Sequence, residues 1–364
     1  MKPTVKERLR IVGAIAAKDI VDAVKNRTTL SIIIGTLTLL LSSMALPFLG
    51  SLNRAPTALA YDPGSSTLVR AMTTREEFRL RLVSSMEDLA EAIAGAPELR
   101  LGLIIPEDFA VATGLDGAVE IRGLAPHWAK PAAVLDLVTL FERELSEASW
   151  QDVHIVLSEP IYPAPTHVGQ HSMTANTIAI ATLTLGLALV PGLLTEEKET
   201  HTLESLLVSP ARYGEIIAGK AIVGALYGAV AAALAVGVNG KWFIHGWLVV
   251  LAVGLGILFT VTVGTLLGLL IDNANTTNVW MGLVLMLLLM PALIGTLLGS
   301  GSDGVVQTII EWIPTSAISR LLALAMSQPV HFGDWWLDAL RLISSIAVLV
   351  PLVVWRVRRL DERM

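Results

Sequence analysis

Four stretches of this chain, Thr28–Leu49, Ser172–Leu194, Trp247–Ile271 and Val279–Leu298, contain no Asp, Glu, Lys or Arg. An α-helix rises about 1.5 Å per residue, so each run can cross a hydrocarbon layer of about 30 Å. A backbone in lipid must satisfy its own polar groups, and for runs of this length that means a helix. The rest of the composition agrees. Of 364 residues, 53% are hydrophobic and 16% charged, and the mean hydropathy is +0.65. That is too apolar for an ordinary soluble protein. A net charge of −6 gives no reason to expect nucleic acid as a partner. The chain has no cysteine, which excludes disulfides and thiolate metal sites.

Charge distribution orients the chain. Lys2, Lys6, Arg8, Arg10, Lys18, Lys25 and Arg27 precede the first apolar run, and Arg356, Arg358, Arg359 and Arg363 follow the last. By the positive-inside rule both termini are cytoplasmic and the number of spans is even. Residues 4–27 carry Val5, Leu9, Val12, Ala16 and Ile20 at helical spacing with cations on the opposite arc, which predicts an amphipathic helix in the inner interface. Ala58-Leu59-Ala60 resembles a signal-peptidase site. The basic leader of about 27 residues and the apolar run of about 20 are both long for a cleaved signal, so an uncleaved anchor is expected.

Between the first two spans lie 51–171. Nine basic residues against seventeen acidic ones give this stretch a net −8. Phe78–Leu82 and Leu99–Ile105 read as strands, with shorter candidates at Gly117–Ile121 and Val153–Leu157. Ser84-Ser-Met-Glu87 reads as a capping box opening a helix to Ala94, and Lys130–Gln151 as a second helix. Alternating strands and helices predict an α+β domain on the outer face. The full expectation is an α-helical polytopic membrane protein with six transmembrane helices, at 28–50, 172–194, 215–238, 247–271, 279–298 and 335–355. The α+β extracytoplasmic domain is inserted between spans 1 and 2. Pro191-Gly192 should bend or end span 2, Lys220 should snorkel to the inner surface, and Trp242 and Trp247 should anchor the interface. Residues 303–333 read as two short helices broken at Pro314 and dipping into the outer leaflet, and 356–364 as a cytoplasmic tail.

The most informative segment is the charged island at 195–214, whose acidic side chains include Glu196, Glu197, Glu199 and Glu204. A membrane protein gains from such a cluster where it meets water or a soluble partner. We read it as a short cytoplasmic coupling segment, with Leu203, Leu206 and Leu207 as an apolar anchor and the glutamates as pairing groups. Gly214–Ala221 almost spells a phosphate-binding loop. Ala221 stands where Ser or Thr must hold magnesium, and no strand precedes it. His167 and His171 lack further ligands for a metal site. No nucleophile elbow or metalloprotease spacing occurs, so no catalytic, cofactor-binding or metal residue is expected. Glycine pairs 224/228, 264/268 and 295/299 permit close helix approach, within the bundle or at a dimer seam.

Glu197-Lys-Glu-Thr-His-Thr-Leu-Glu-Ser-Leu-Leu-Val-Ser-Pro210 resembles the signature that follows span 2 in ABC-2 type transporter permeases, with His201 where that family has glycine. Lys18-Asp19 through Asn26-Arg27 is similar to the family's pre-span interface helix. The large domain between spans 1 and 2 looks like the subgroup that includes sodium-export and drug-export permeases. The resemblance implies an exporter subunit without its own ATPase site or cofactor. Its implied partners are an ABC ATP-binding subunit, a second permease copy and membrane lipid, and its implied place is a bacterial or archaeal plasma membrane. Coupling would fall to Glu197, Glu199, Thr202, Leu203, Glu204, Leu206 and Leu207, with Lys18, Asp19 and Arg27 on the interface helix. The competing reading is a membrane-anchored sensor or assembly protein whose outer domain binds a ligand.

Overall fold

Alternation of strand and helix governs one part of the chain, and helical packing of apolar faces governs the other. The structure, a computed structural model, describes residues 4–25, 56–64, 79–107 apart from Pro97, 119–149, 152–163, 170–200, 212–298 and 312–362, with scattered residues between 30 and 42. It divides into two compact units. One takes in residues 1–43, 172–325 and 330–364, and the other 44–171 and 326–329.

The second unit holds five strands: β1 (Thr57–Tyr61), β2 (Arg79–Val83), β3 (Leu101–Ile104), β4 (Val119–Leu124) and β5 (Val153–Leu157). Their order is β2-β1-β3-β4-β5, parallel throughout except between β3 and β4. Helix α2 (Met86–Ala94) places Leu89 and Ile93 against Leu59 and Leu124. Helix α3 (Pro131–Ser149) places Phe141 and Leu145 with Ala58, Ala60 and Ile121. Successive residues of β1 therefore serve two cores, as pleating requires. The Ala-Leu-Ala run that looked like a cleavage site is the interior of this strand. The cap of α2 is Ser85, whose Oγ accepts from the Asp88 N–H at 3.0 Å, one residue later than expected. At the outer strand β5, Glu142 and Ser146 of α3 accept from the Ile155 and Val153 N–H groups, covering an edge that would otherwise pair with another chain.

The first unit contains α1 (Val5–Lys25), α4 (Gln170–Glu199), α5 (Tyr213–Val238), α6 (Gly246–Leu270), α7 (Ala274–Leu298), α8 (Pro314–Leu324) and α9 (Phe332–Asp361). Among the described residues, four helices are long and apolar enough to cross a membrane: α4 from Thr174, α5, α6 and α9. Ala274–Met290 of α7 forms a shorter apolar stretch. Most of the expected first span lies outside the described residues.

Several expectations change. Helix α4 does not end at Pro191 but continues to Glu199. Pro191 lacks the N–H that would bond the Leu187 carbonyl. That carbonyl and the proline ring both lie against Gly264 of α6, where no side chain intervenes. One turn on, Thr195 Oγ1 donates to the Pro191 carbonyl at 2.9 Å. Pro314 stands at the first turn of α8, where a missing N–H is harmless, and most of the helix predicted before it, 303–311, lies outside the described residues. Helix α8 buries Ile318, Leu321 and Leu322, and Thr315 donates to the Leu288 carbonyl of α7 at 2.6 Å. Trp242 is buried rather than an interface anchor, whereas Trp247 is exposed and meets Trp335 edge-on. The glycine pairs on α5 and α6 serve packing inside the bundle. A side chain at Gly224 would collide with Val190 of α4, and one at Gly268 with Leu194. Gly299 lies outside the described residues.

Helix α1 opens on a reciprocal cap absent from the sequence reading. Thr4 N and Oγ1 donate to Glu7 at 2.7 and 3.0 Å. These bonds hold the Glu7 carboxyl below its ordinary range, so the cap is complete at neutral pH and is lost as acid protonates Glu7.

Candidate functional site

The end of α4 carries Glu197, Lys198 and Glu199 in succession. Neighbouring residues on a helix point about 100° apart, so each of the three faces a different neighbour.

Glu197 faces inward. Its Oε1 lies 2.9 Å from Nζ of Lys220 on α5, and the same Nζ lies 3.1 Å from Asp19 Oδ2 on α1. The Lys220 side chain is 1% exposed, Asp19 6% and Glu197 13%. Lys220 therefore does not snorkel. It is a buried cation between two carboxylates drawn from two other helices. A charge so enclosed is tolerable where its partners surround it.

Lys198 reaches the end of α6. Its Nζ donates to the carbonyls of Gly268 and Ile271, both at 2.9 Å, and to Asp272 Oδ1 at 2.8 Å. The last carbonyls of a helix have no internal partner and carry partial negative charge, so a cation suits them. Arg356 of α9 adds a longer bond to the Leu269 carbonyl, at 3.4 Å.

Glu199 reaches the start of α7, where its Oε1 accepts from the Ala274 N–H at 2.7 Å. Asn273 accepts there as well, from Asn275 and Thr276. First-turn N–H groups favour a carboxylate for the converse reason. Three consecutive side chains thus tie α4 to α1, α5, α6 and α7.

Helix α1 lies along α5. Arg8 approaches Glu215 at 3.8 Å, Ile15 meets Gly219, Ala16 packs with Val223, and Tyr227 donates to the Ile20 carbonyl at 2.9 Å. Both numberings rise together, so the two helices run side by side in the same direction. Ala16 and Ile20 of the predicted apolar stripe pack into the bundle. Leu9 is 67% exposed, and the face turned to α5 includes Ile15 and Asp19. Lys18 is exposed. A Cβ on Gly219 would stand 2.8 Å from Ile15 Cγ2 and 3.4 Å from the Val12 carbonyl oxygen. Gly219→Leu is therefore expected to push α1 off α5 at a cost of about 1–3 kcal/mol, read as a lower melting temperature and faster proteolysis within residues 5–25.

Of the residues singled out by sequence, Asp19, Glu197 and Glu199 come together at this hub. Thr202, Leu203, Glu204, Leu206, Leu207 and Arg27 lie outside the described residues. Sequence reasoning missed Lys198, Asp272 and the role of Lys220. A lone lysine within an apolar helix was the available signal, because it calls for an acidic partner at the same depth.

No curated protein matches the chain. The family described as ABC-2 family transporter protein matches residues 27–355, from the end of the basic leader to the end of the last apolar run. A match over that length, with the apolar helices described above, places this membrane-embedded chain in the ABC-2 family of transporter proteins, as an ABC transporter permease.

Proposed function

We propose that this chain is the transmembrane subunit of an ATP-driven exporter, moved by a separate ABC ATP-binding subunit that docks on residues 201–211. The observation that carries this reading is the hub at Glu197–Glu199. The segment between α4 and α5 is tied at its start to four other helices. A push delivered there reaches the bundle as one displacement, and packed helices respond as rigid bodies. Glu197 and Glu199 spend their carboxylates inside the chain, so they anchor the segment. Thr202, Leu203, Glu204, Leu206 and Leu207 remain as the gripping surface. Asp19 and Lys220 extend the linkage to α1, on which Lys18 and Arg27 complete the interface helix.

In this reading the chain has six spans, the described helices being joined by one at 28–50 and one at 279–298. The strand-bearing unit lies outside the cell, both basic ends are cytoplasmic, and the plasma membrane is the site of action. Two permease copies and two ATP-binding subunits form the transporter. The permease binds no nucleotide and needs no cofactor.

Glu204→Lys is expected to reduce co-purification with the ATP-binding subunit at least tenfold while leaving the melting temperature of the permease unchanged. Association at the wild-type level would remove the docking role from this segment and favour the sensor reading. ATP hydrolysis by the purified permease alone would contradict the division of labour.

A further inference from the structure

A groove of about 450 Å³ runs between α6, α8 and α9, and Phe259, Val263, Pro314, Ser344, Ser345 and Val348 are among the residues that line it. That volume falls in the range of small-molecule sites, roughly 300–1,000 Å³. Among the described residues, the lining holds no ionisable side chain. One turn before the serines, Arg341 donates together with Arg320 of α8 to Asp338, each at 2.8 Å, so both cations are already held by a carboxylate.

The aromatic side chains fix the depth of the groove. Trp247 of α6 and Trp335 of α9 meet edge-on with ring centres 5.1 Å apart, and Phe332 lies against both Trp335 and Trp336. Such a cluster marks one interface of the membrane. At 1.5 Å per residue, Phe259 lies about 18 Å along α6 from Trp247, and Ser344 and Ser345 lie about 14–15 Å along α9 from Trp335. A hydrocarbon layer of about 30 Å has its centre at that depth. The groove is therefore near the mid-plane, a level that the head groups of the surrounding phospholipids do not reach.

Both serines turn back on their own helix. Ser344 Oγ and Ser345 Oγ donate to the Arg341 carbonyl at 2.8 and 2.9 Å. The same carbonyl is the helical acceptor for the Ser345 N–H. Three donors thus share an oxygen with two lone pairs, so one hydroxyl is held only loosely. It can turn to a ligand acceptor at small cost, and the serine oxygens keep lone pairs for a ligand donor. A hydroxyl group is both donor and acceptor and answers this pair. Phe259, Val263 and Val348 supply apolar walls for a chain. A charged head is opposed here, because desolvation at the mid-plane is costly and the lining offers no counter-ion.

We propose that the groove binds an uncharged lipid alcohol of the diacylglycerol class, with its free hydroxyl paired to Ser344 and Ser345 and an acyl chain against Phe259, Val263 and Val348. The assignment rests on the membrane location of α6 and α9 and not on the direction of transport or on the ATP-binding partner.

The test is photolabelling of the full chain in phosphatidylcholine nanodiscs with a diacylglycerol that carries a diazirine on one acyl chain. The labelled peptides are expected to include the groove segments of α6 and α9. Unlabelled diacylglycerol should compete about fivefold better than its methyl ether of identical chains, the scale of one neutral hydrogen bond. It should also compete better than phosphatidic acid, in which a phosphate occupies the hydroxyl. Ser344→Ala combined with Ser345→Ala should abolish the preference over the ether while labelling persists. Val348→Trp, which fills the groove, should lower labelling there with the melting temperature unchanged. Equal competition by diacylglycerol and its ether at the wild-type groove would overturn the proposal and show that bulk acyl chains fill the space. So would a preference retained in the double alanine variant, groove labelling unaffected by Val348→Trp, or label absent from the groove.

Discussion

Replacement of Lys220 by Met is expected to cost roughly 3–5 kcal/mol of stability, the range for removing one partner of a buried ion pair. The cost arises because Asp19 and Glu197 both lie within 3.1 Å of the same ammonium nitrogen. Without it, the two carboxylates share an enclosed site from which their common cation has been removed. Methionine keeps the length and apolar stem of lysine, so the loss reports the charge more than the packing. The measurement is a melting curve of the purified chain in detergent, followed by tryptophan fluorescence. Combining Lys220→Met with Asp19→Asn and Glu197→Gln should recover most of the stability, since neutral replacement of a buried ionic group is often nearly free. A Lys220→Met variant that melts with the wild type would show that the triad is not formed.

Asp338→Leu should produce the next largest effect, about 3 kcal/mol. It leaves Arg320 and Arg341 facing each other across the joint between α8 and α9 with their shared carboxylate gone. The figure sits at the low end of the buried range because Arg320 is a third exposed and water screens part of its charge. Added salt should restore some of the lost melting temperature in this variant, and much less in Lys220→Met, whose groups are enclosed. Loss of stability by less than 1 kcal/mol would mean that water already solvates the cluster.

Much of the helical unit was legible because lipid restricts the choices. Uncharged runs of 20 or more residues carry their own secondary structure, and the positions of α4 and α6 follow from them, while α5 and α9 follow from long apolar stretches that hold a few charges near their ends. Their ends were less legible. Pro191 signals a stop in water, yet α6 offers Gly264 at that point and the helix continues. The strand unit was read through its exposed alternation, as in Arg79–Val83. β1 was missed because it is buried on both faces and rich in alanine, so it shows neither alternation nor a strong strand preference. At the hub, a sequence shows that Glu197, Lys198 and Glu199 are charged but not where each one points. That depends on the helical phase of α4 and on which helix ends happen to stand beside it. Asp19 and Lys220 are separated by 201 positions, and nothing local marks them as partners.

The coupling segment and α1 are expected to move as one piece. The chain has no native cysteine, so spin labels can be placed at Lys18→Cys and Ser205→Cys without background. The distance between them, measured by double electron–electron resonance in the complex with the ATP-binding subunit, should differ by less than about 2 Å between nucleotide-free and ATP-trapped states, the scale of shifts inside a rigid body. In the neutralised Asp19→Asn, Glu197→Gln, Lys220→Met background, ATP should change it by several ångströms. A change of that size in the chain with its triad intact would contradict the account.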